Sequence, residues 1–292
     1  MQTDFLQPET LTAQPASELP GARAVRVQRM VRSPSISVFS CGGGTQSTAI
    51  AALIVQGKLP KPDFVVIADT GREMPTTWQY MDAVTRPALK AIGLEIHRVK
   101  SDEWARPIAR GIWAGDTLRI PAFSNLNGSD AKLSAFCSSH WKQEAVDRWL
   151  SQIQGLTRSK YCKWIGFSMD ETRRVLRIRS GDEAAAGLIR LPLVDDVPTK
   201  RHEAIKIVEA AGWPKPPRSR CWMCPNQTDY EWAEVKTEYP ELWHEAVQLD
   251  ESIRAKDAHA YLHSTIKPLR DANLTAPDDL FSGSCPSGEC FL

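Results

Sequence analysis

Three consecutive glycines, Gly42-Gly43-Gly44, follow the apolar run Ser37-Val38-Phe39-Ser40-Cys41 and lead into Thr45-Gln46-Ser47. Glycine takes positive φ without steric cost and has no Cβ, so a loop of this kind lets backbone amides converge on an anion. Thr45 and Ser47 add hydroxyls at the positive end of the helix that Ala49, Ile50, Leu53 and Ile54 continue. A nucleotide phosphate is the natural guest. The spacing matches neither the Walker A pattern nor the dinucleotide fingerprint, and a glycine turn that only packs a strand against a helix is the alternative.

The second chemical feature is cysteine. The seven are Cys41, Cys137, Cys162, Cys221, Cys224, Cys285 and Cys290. An odd number in a chain whose first 33 residues lack the apolar core of a secretion signal points to metal or redox chemistry rather than a disulfide framework. Cys221-Trp222-Met223-Cys224 sets two thiols on one turn, a spacing that suits zinc, an iron–sulfur cluster or a redox pair. Cys162 lies in the apolar run Tyr161 to Phe167 and reads as core, and Cys41 reads as a small buried residue at a tight turn.

The elements that must position these groups alternate. Strand-like runs at Phe64 to Ala68, Leu94 to Val99, Tyr161 to Phe167 and Leu188 to Val194 join the one before the glycines. Helical patterns cover Ser47 to Gln56, Thr76 to Ile92, His140 to Ile153, Glu171 to Ile178, Lys200 to Ala211, Tyr230 to Glu238 and Pro240 to Lys256. The expectation is an α/β fold, a Rossmann-like parallel sheet with helices on both faces. Ligands in such sheets sit at the carboxyl ends of strands, which gathers Ser40 to Ser47, Asp69-Thr70-Gly71 and Gly166 to Arg174 at one edge. Residues 1–33 read as a disordered or loosely docked arm, 34–212 as the nucleotide-binding domain and 213–292 as a helical region with a cysteine knuckle and tail. A net charge of +1 and the absence of any run of 18 apolar residues favour a cytoplasmic protein with no membrane partner.

Taken in order, the motifs resemble those of the adenine nucleotide alpha hydrolase (PP-loop) superfamily, and within it the phosphoadenosine phosphosulfate reductase family. Gly42-Gly43-Gly44-Thr45-Gln46-Ser47, with Ser40 upstream, stands where relatives carry Ser-Gly-Gly-x-Asp-Ser. Asp69-Thr70-Gly71 ends the second strand, Cys137 and Lys142 form a Cys-x-x-x-x-Lys element, and Gly166 to Arg174 matches an arginine-bearing motif. Leu191-Pro192-Leu193-Val194-Asp195 follows, like the family's Pro-Leu segment. The loop lacks the lysine and acid of many relatives, and Ser168 replaces an arginine, so Arg173, Arg174, Arg177 and Arg179 are the side chains expected to compensate, with a solvated helix face as the alternative for Arg177 and Arg179.

The resemblance implies an adenine nucleotide as partner, bound by Ser40, Gly42 to Ser47, Asp69, Thr70, Gly71, Lys142 and Gly166, with Arg173 and Arg174 catalytic. It also implies a [4Fe–4S] cluster on Cys137, Cys221 and Cys224, completed by Cys285 or Cys290, with zinc as the rival occupant. Two chemistries follow. In one, similar to DNA phosphorothioation and tRNA thiolation enzymes, ATP (with Mg²⁺) is cleaved to pyrophosphate while a substrate is activated for sulfur insertion from a sulfur donor. In the other, Cys290 attacks an adenosine phosphosulfate and a thiol reductant protein completes reduction to sulfite. Basic patches at Arg158 to Lys160, Lys200-Arg201 and Arg218 to Arg220, interleaved with Trp164, Trp213 and Trp222, suit a nucleic-acid substrate or are ordinary solvated surface. A nucleotide-binding module without catalysis is the alternative class.

Overall fold

The computed structural model describes residues 34–274 apart from 127 and 129, with the backbone alone at 108 and 109; the arm at 1–33 and the tail bearing Cys285 and Cys290 lie outside it. The described residues fall in one compact unit. Its centre is a five-stranded sheet of β1 (Ile36–Ser40), β2 (Phe64–Asp69), β3 (Ile96–Lys100), β4 (Tyr161–Ile165) and β5 (Ile189–Arg190). The spatial order is β3-β2-β1-β4-β5, and every pairing is parallel.

Strand periodicity divides the apolar residues between two faces. Phe39, Val65, Ile67 and Ile96 pack under α1 (Thr45–Val55). On the opposite face, Val38, Val66 and Val99 meet Ala145, Val146 and Leu150, which α4 (Glu144–Gln154) supplies. Between these helices in sequence lie α2 (Pro75–Tyr80) and α3 (Arg86–Ala91). Helix α1 is apolar on nearly all sides and is buried from Ser47 to Ile54, enclosed by the sheet and by a later helix, α6 (Arg201–Ala210). The intervening α5 (Thr172–Arg179) follows β4. The α/β expectation with helices on both faces therefore holds.

Three sequence-based boundaries need correction. The helix read over Thr76 to Ile92 is two α segments joined by a π turn at Met81–Thr85, just ahead of Pro87, which has no amide to continue the ladder. The strand read over Leu188 to Val194 is only Ile189–Arg190, because Pro192 cannot donate to a sheet and opens a π turn. A third π turn, Ser138–Gln143, precedes α4 and carries Trp141 and Lys142.

The region after Trp213 shares a second core with earlier segments of the chain. Met223, Trp232, Ala246, Ile253 and Leu262 pack with Leu118, Ile120 and Trp141, using α7 (Asp229–Glu238) and α8 (Pro240–Lys256). A short antiparallel sheet of Ala260–Tyr261, Phe123–Ser124 and Ala131–Lys132, which periodicity did not reveal, ties the segments together. This third layer bears the cysteine knuckle and presses it onto the carboxyl end of β2.

Candidate nucleotide and cysteine site

The chain leaves β1 outward to β2 and β3, then returns to the other side of β1 with β4. The loops after β1 and β4 therefore diverge and leave a crevice at the carboxyl edge, the place where open α/β sheets bind ligands. Both contain sequence-predicted residues.

In the first loop, Cys41 N–H donates to Val66 C=O (2.8 Å) and Gly42 N–H to Ser47 Oγ (2.8 Å). Gly43 adopts φ +71°, and Gly44 caps α1 without any side-chain hydrogen bond, so the first-turn amides of that helix stay available to a ligand or solvent. Ser219 seals the loop: a Cβ on Gly44 would lie 3.2 Å from its Cβ.

In the second loop Glu171 is the hub. It accepts from Gln46 Nε2 (3.3 Å), Ser168 N–H (3.0 Å) and Ser168 Oγ (3.1 Å), and pairs with Arg174. A Cβ at Gly166 would lie 3.5 Å from both Gln46 Cβ and Ser47 N, so the two loops come close there. Arg174 is buried, stacked over Phe167 and held by Glu171, while Arg173 is exposed. Arg179 pairs with Asp195. The arginines expected to offset the missing loop lysine are thus occupied or turned to solvent.

Asp69 is also occupied. Its carboxylate accepts from Gly71 N–H (2.8 Å) and from Arg98 Nε (2.8 Å), whose guanidinium lies 3.8 Å from the Trp78 ring centre. Thr70 Oγ1 accepts from Arg72 N–H (3.2 Å) and lies 3.9 Å from Cys221 Sγ. The Asp-Thr-Gly segment therefore shapes a turn and faces a cysteine.

The knuckle docks by backbone pairing. Met74 N–H donates to Arg220 C=O and Trp222 N–H to Arg72 C=O, each at 2.9 Å, flanking a Glu73–Cys221 bridge. At its centre is Glu73, whose side chain is 3% exposed. It accepts from Lys142 Nζ (2.7 Å) and Ser219 Oγ (3.2 Å) and lies 4.0 Å from Cys221 Sγ. One carboxylate thus joins the Cys-x-x-x-x-Lys element, the glycine-loop seal and the knuckle. Burial alone would lower the Lys142 ammonium, but Glu73, Cys221 and Cys137 together hold it above its ordinary value.

Cys137 and the Cys221/Cys224 turn come from distant segments to within electrostatic range of one another. Burial raises all three thiols, and their mutual repulsion adds to the effect for Cys137 and Cys221. Among the described residues no group of three or more His, Cys, Asp or Glu is arranged to hold a metal ion as it stands. Cys285 and Cys290, the expected fourth ligands, lie outside the described residues. Cys162 is core, as expected.

Burial pushes the Cys41 thiol up to about 11, overriding the smaller opposing pull of the Gly43 amide and Ser47. It is a packing residue. Its unfolded form ionises from about 9.0, so above that pH the unfolded chain binds fewer protons than the folded one and stability must fall as pH rises. We expect urea midpoints of the metal-free protein to drop between pH 9 and 11, with Cys41 contributing about 2–3 kcal/mol at the upper end. Cys41→Ala should flatten that share of the slope; an unchanged slope would mean the thiol reaches solvent.

Of the residues suggested by sequence for a nucleic-acid surface, one tryptophan is buried and three arginines are ion-paired. Trp164 is 2% exposed and covered by Arg190, which removes it from any stacking surface. Arg158 pairs with Glu183, Arg218 with Glu231 and Arg220 with Glu234. No helix of the described residues is long and apolar enough to cross a membrane. Comparison with known proteins returns no matching family model, no curated relative and no solved structure, so what this site does has to be argued from its own geometry.

Proposed function

We propose that the chain is an adenine-nucleotide enzyme of sulfur chemistry, of the PP-loop kind its motifs resemble, and that it cleaves ATP to pyrophosphate while activating a substrate for sulfur insertion. The observation that carries this reading is that the glycine loop and the cysteine knuckle lie against each other. Ser219 abuts Gly44, and two residues on, Cys221 faces Thr70 and Glu73.

In this reading the free amides at the start of α1 and the Ser47 side hold the triphosphate, with Mg²⁺ offsetting its charge. A substrate oxygen attacks the α-phosphorus, the bond to the bridging oxygen breaks, and pyrophosphate leaves carrying the electron pair. Positioning and charge neutralisation are the chain's contribution. Cys137, Cys221 and Cys224, with Cys285 or Cys290, are the donors that would hold an iron–sulfur cluster or zinc. Soft thiolate donors suit either, and a bound cation would favour the deprotonation that burial opposes. Such a centre supplies a thiophilic point beside the activated substrate. Lys142, fixed by Glu73, places a cation next to the cysteines, and the Glu171 hub fixes Gln46 over the loop.

The test is anaerobic purification, metal and acid-labile sulfide analysis, and incubation with ATP or adenosine phosphosulfate. Pyrophosphate from ATP is the expected product. Sulfite from the phosphosulfate that disappears in Cys290→Ser would make the chain a reductase, and bound nucleotide with no product would make it a binding module.

A further inference from the structure

Arg119 follows the short strand Thr117–Leu118 and is only 4% exposed. Its backbone is tied on both sides, the amide donating to Ile112 C=O and the carbonyl accepting from Phe136 N–H, each at 2.8 Å. Its guanidinium is not tied at all. Nε and Nη1 are buried with no hydrogen-bond partner, and among the described residues no carboxylate pairs with the group and no ring stacks on it. Trp141, which packs in one core with Leu118 and Ile120 on either side of Arg119, has a buried Nε1–H that also lacks an acceptor.

Other arginines of the chain are provided for. Arg106 pairs with Glu144, Arg110 donates to Ala105 C=O (2.7 Å) and Glu103 C=O (3.0 Å), and Arg72 donates to Thr70 C=O (2.9 Å). A guanidinium does not shed its charge by losing a proton, and the cost of burying it is offset only when an opposite charge sits against it. Water would satisfy the N–H groups and leave the charge uncompensated. The partner that Arg119 lacks is therefore an anion.

We propose that Arg119 is the anchor of a binding site for a tetrahedral oxyanion of the phosphate or sulfate type, a site that none of the nucleotide motifs includes. The planar fork of N–H donors fits the oxygens of such an ion, which accept from two nitrogens at once, whereas chloride offers a single centre. Lysine, a point charge, replaces the fork only in part. Arg119 C=O holds the Phe136 amide one residue ahead of Cys137, so an ion seated here also steadies the segment that brings Cys137 to the knuckle.

The experiment melts full-length wild type, Arg119→Met and Arg119→Lys at constant ionic strength while sodium sulfate or phosphate replaces chloride, up to about 10 mM so that general stabilisation by salt exclusion stays small. Wild type should show a saturable rise in melting temperature of about 2–5 °C, Arg119→Met none and Arg119→Lys part of it. Without added oxyanion, Arg119→Met should melt at or above wild type, because an uncompensated buried cation is gone. If the ion is carried through purification, ion chromatography of the denatured protein will find it in wild type and not in Arg119→Met. Equal rises in wild type and Arg119→Met would put the ion elsewhere and overturn the proposal, and so would a wild type with neither a saturable rise nor a carried ion. One more variant identifies the reason for that last result. Asp4→Asn, Glu9→Gln, Glu18→Gln, Asp278→Asn, Asp279→Asn and Glu289→Gln together neutralise the acidic side chains of residues 1–33 and 275–292. A sulfate response that appears only in this variant would make a carboxylate of the chain the native partner of Arg119, and the small-anion site would be wrong.

Discussion

Replacing Gly43 by alanine should abolish nucleotide binding and lower the melting temperature by roughly 5–15 °C. Two costs combine. At φ +71° a side chain strains the backbone by about 1–2 kcal/mol. The new Cβ would also lie 2.8 Å from Thr77 Cγ2 and 3.4 Å from Ile67 Cδ1, an overpacking that costs about 1–3 kcal/mol. Thr77 is fully buried at the start of α2 and has nowhere to retreat. Relief would come from moving the loop itself, which displaces the α1 amides. The two costs separate in a double-mutant cycle: Thr77→Ser deletes the offending methyl, so G43A should be less destabilising in a T77S background, with only the backbone cost left. Strict additivity of the two substitutions, measured by urea unfolding, would show that the clash is relieved elsewhere and that loop geometry is not pinned by α2.

The parts of this site that were legible in the sequence are those set by local rules. The strand before the glycines, the strand ending at Asp69 and the helix Pro240–Lys256 follow from apolar runs, breakers and an N1 proline, and the carboxyl-edge rule gathers the first and fourth loops correctly. What local rules misjudge is continuity: a proline inside an apolar run ends β5 early, and Pro87 interrupts a helix that periodicity reads as unbroken. Side-chain roles were less legible. Arg173 and Arg174 satisfy a motif, yet whether a guanidinium faces a ligand depends on which carboxylate folds against it, and Glu171 takes Arg174. Arg72 shows the converse. Its position after the Asp-Thr-Gly turn marks nothing, but the fold lays its guanidinium 4.3 Å from the Trp141 ring centre and within electrostatic range of Cys221 and Cys137. Glu73 is of the same kind, an ordinary charged residue whose partners Lys142, Ser219 and Cys221 lie far away in sequence.

Glu73→Ala should be strongly destabilising, at about 3–5 kcal/mol, because it takes the carboxylate away from the partly buried Lys142 ammonium and removes the acceptor of Ser219 Oγ. The cost lies in the uncompensated charge and not in a lost attraction, so deleting both charges should recover most of it. Glu73→Gln/Lys142→Met, an amide and an apolar chain of similar size, is expected to unfold in urea close to wild type. Stability and function should then part company. The double variant keeps the core but loses the cation beside Cys221 and Cys137, so it should retain fold and adenosine affinity while losing metal content and product formation. Since Lys142 is held above its ordinary value of 10.5, the contribution of its ammonium is complete at neutral pH and is lost as pH rises through and beyond that value; Glu73→Ala should therefore show its full cost at pH 7. A loss below about 1 kcal/mol in Glu73→Ala would mean that the pair is as weakly coupled as a surface ion pair, and the carboxylate would then not be what ties the knuckle to the glycine loop.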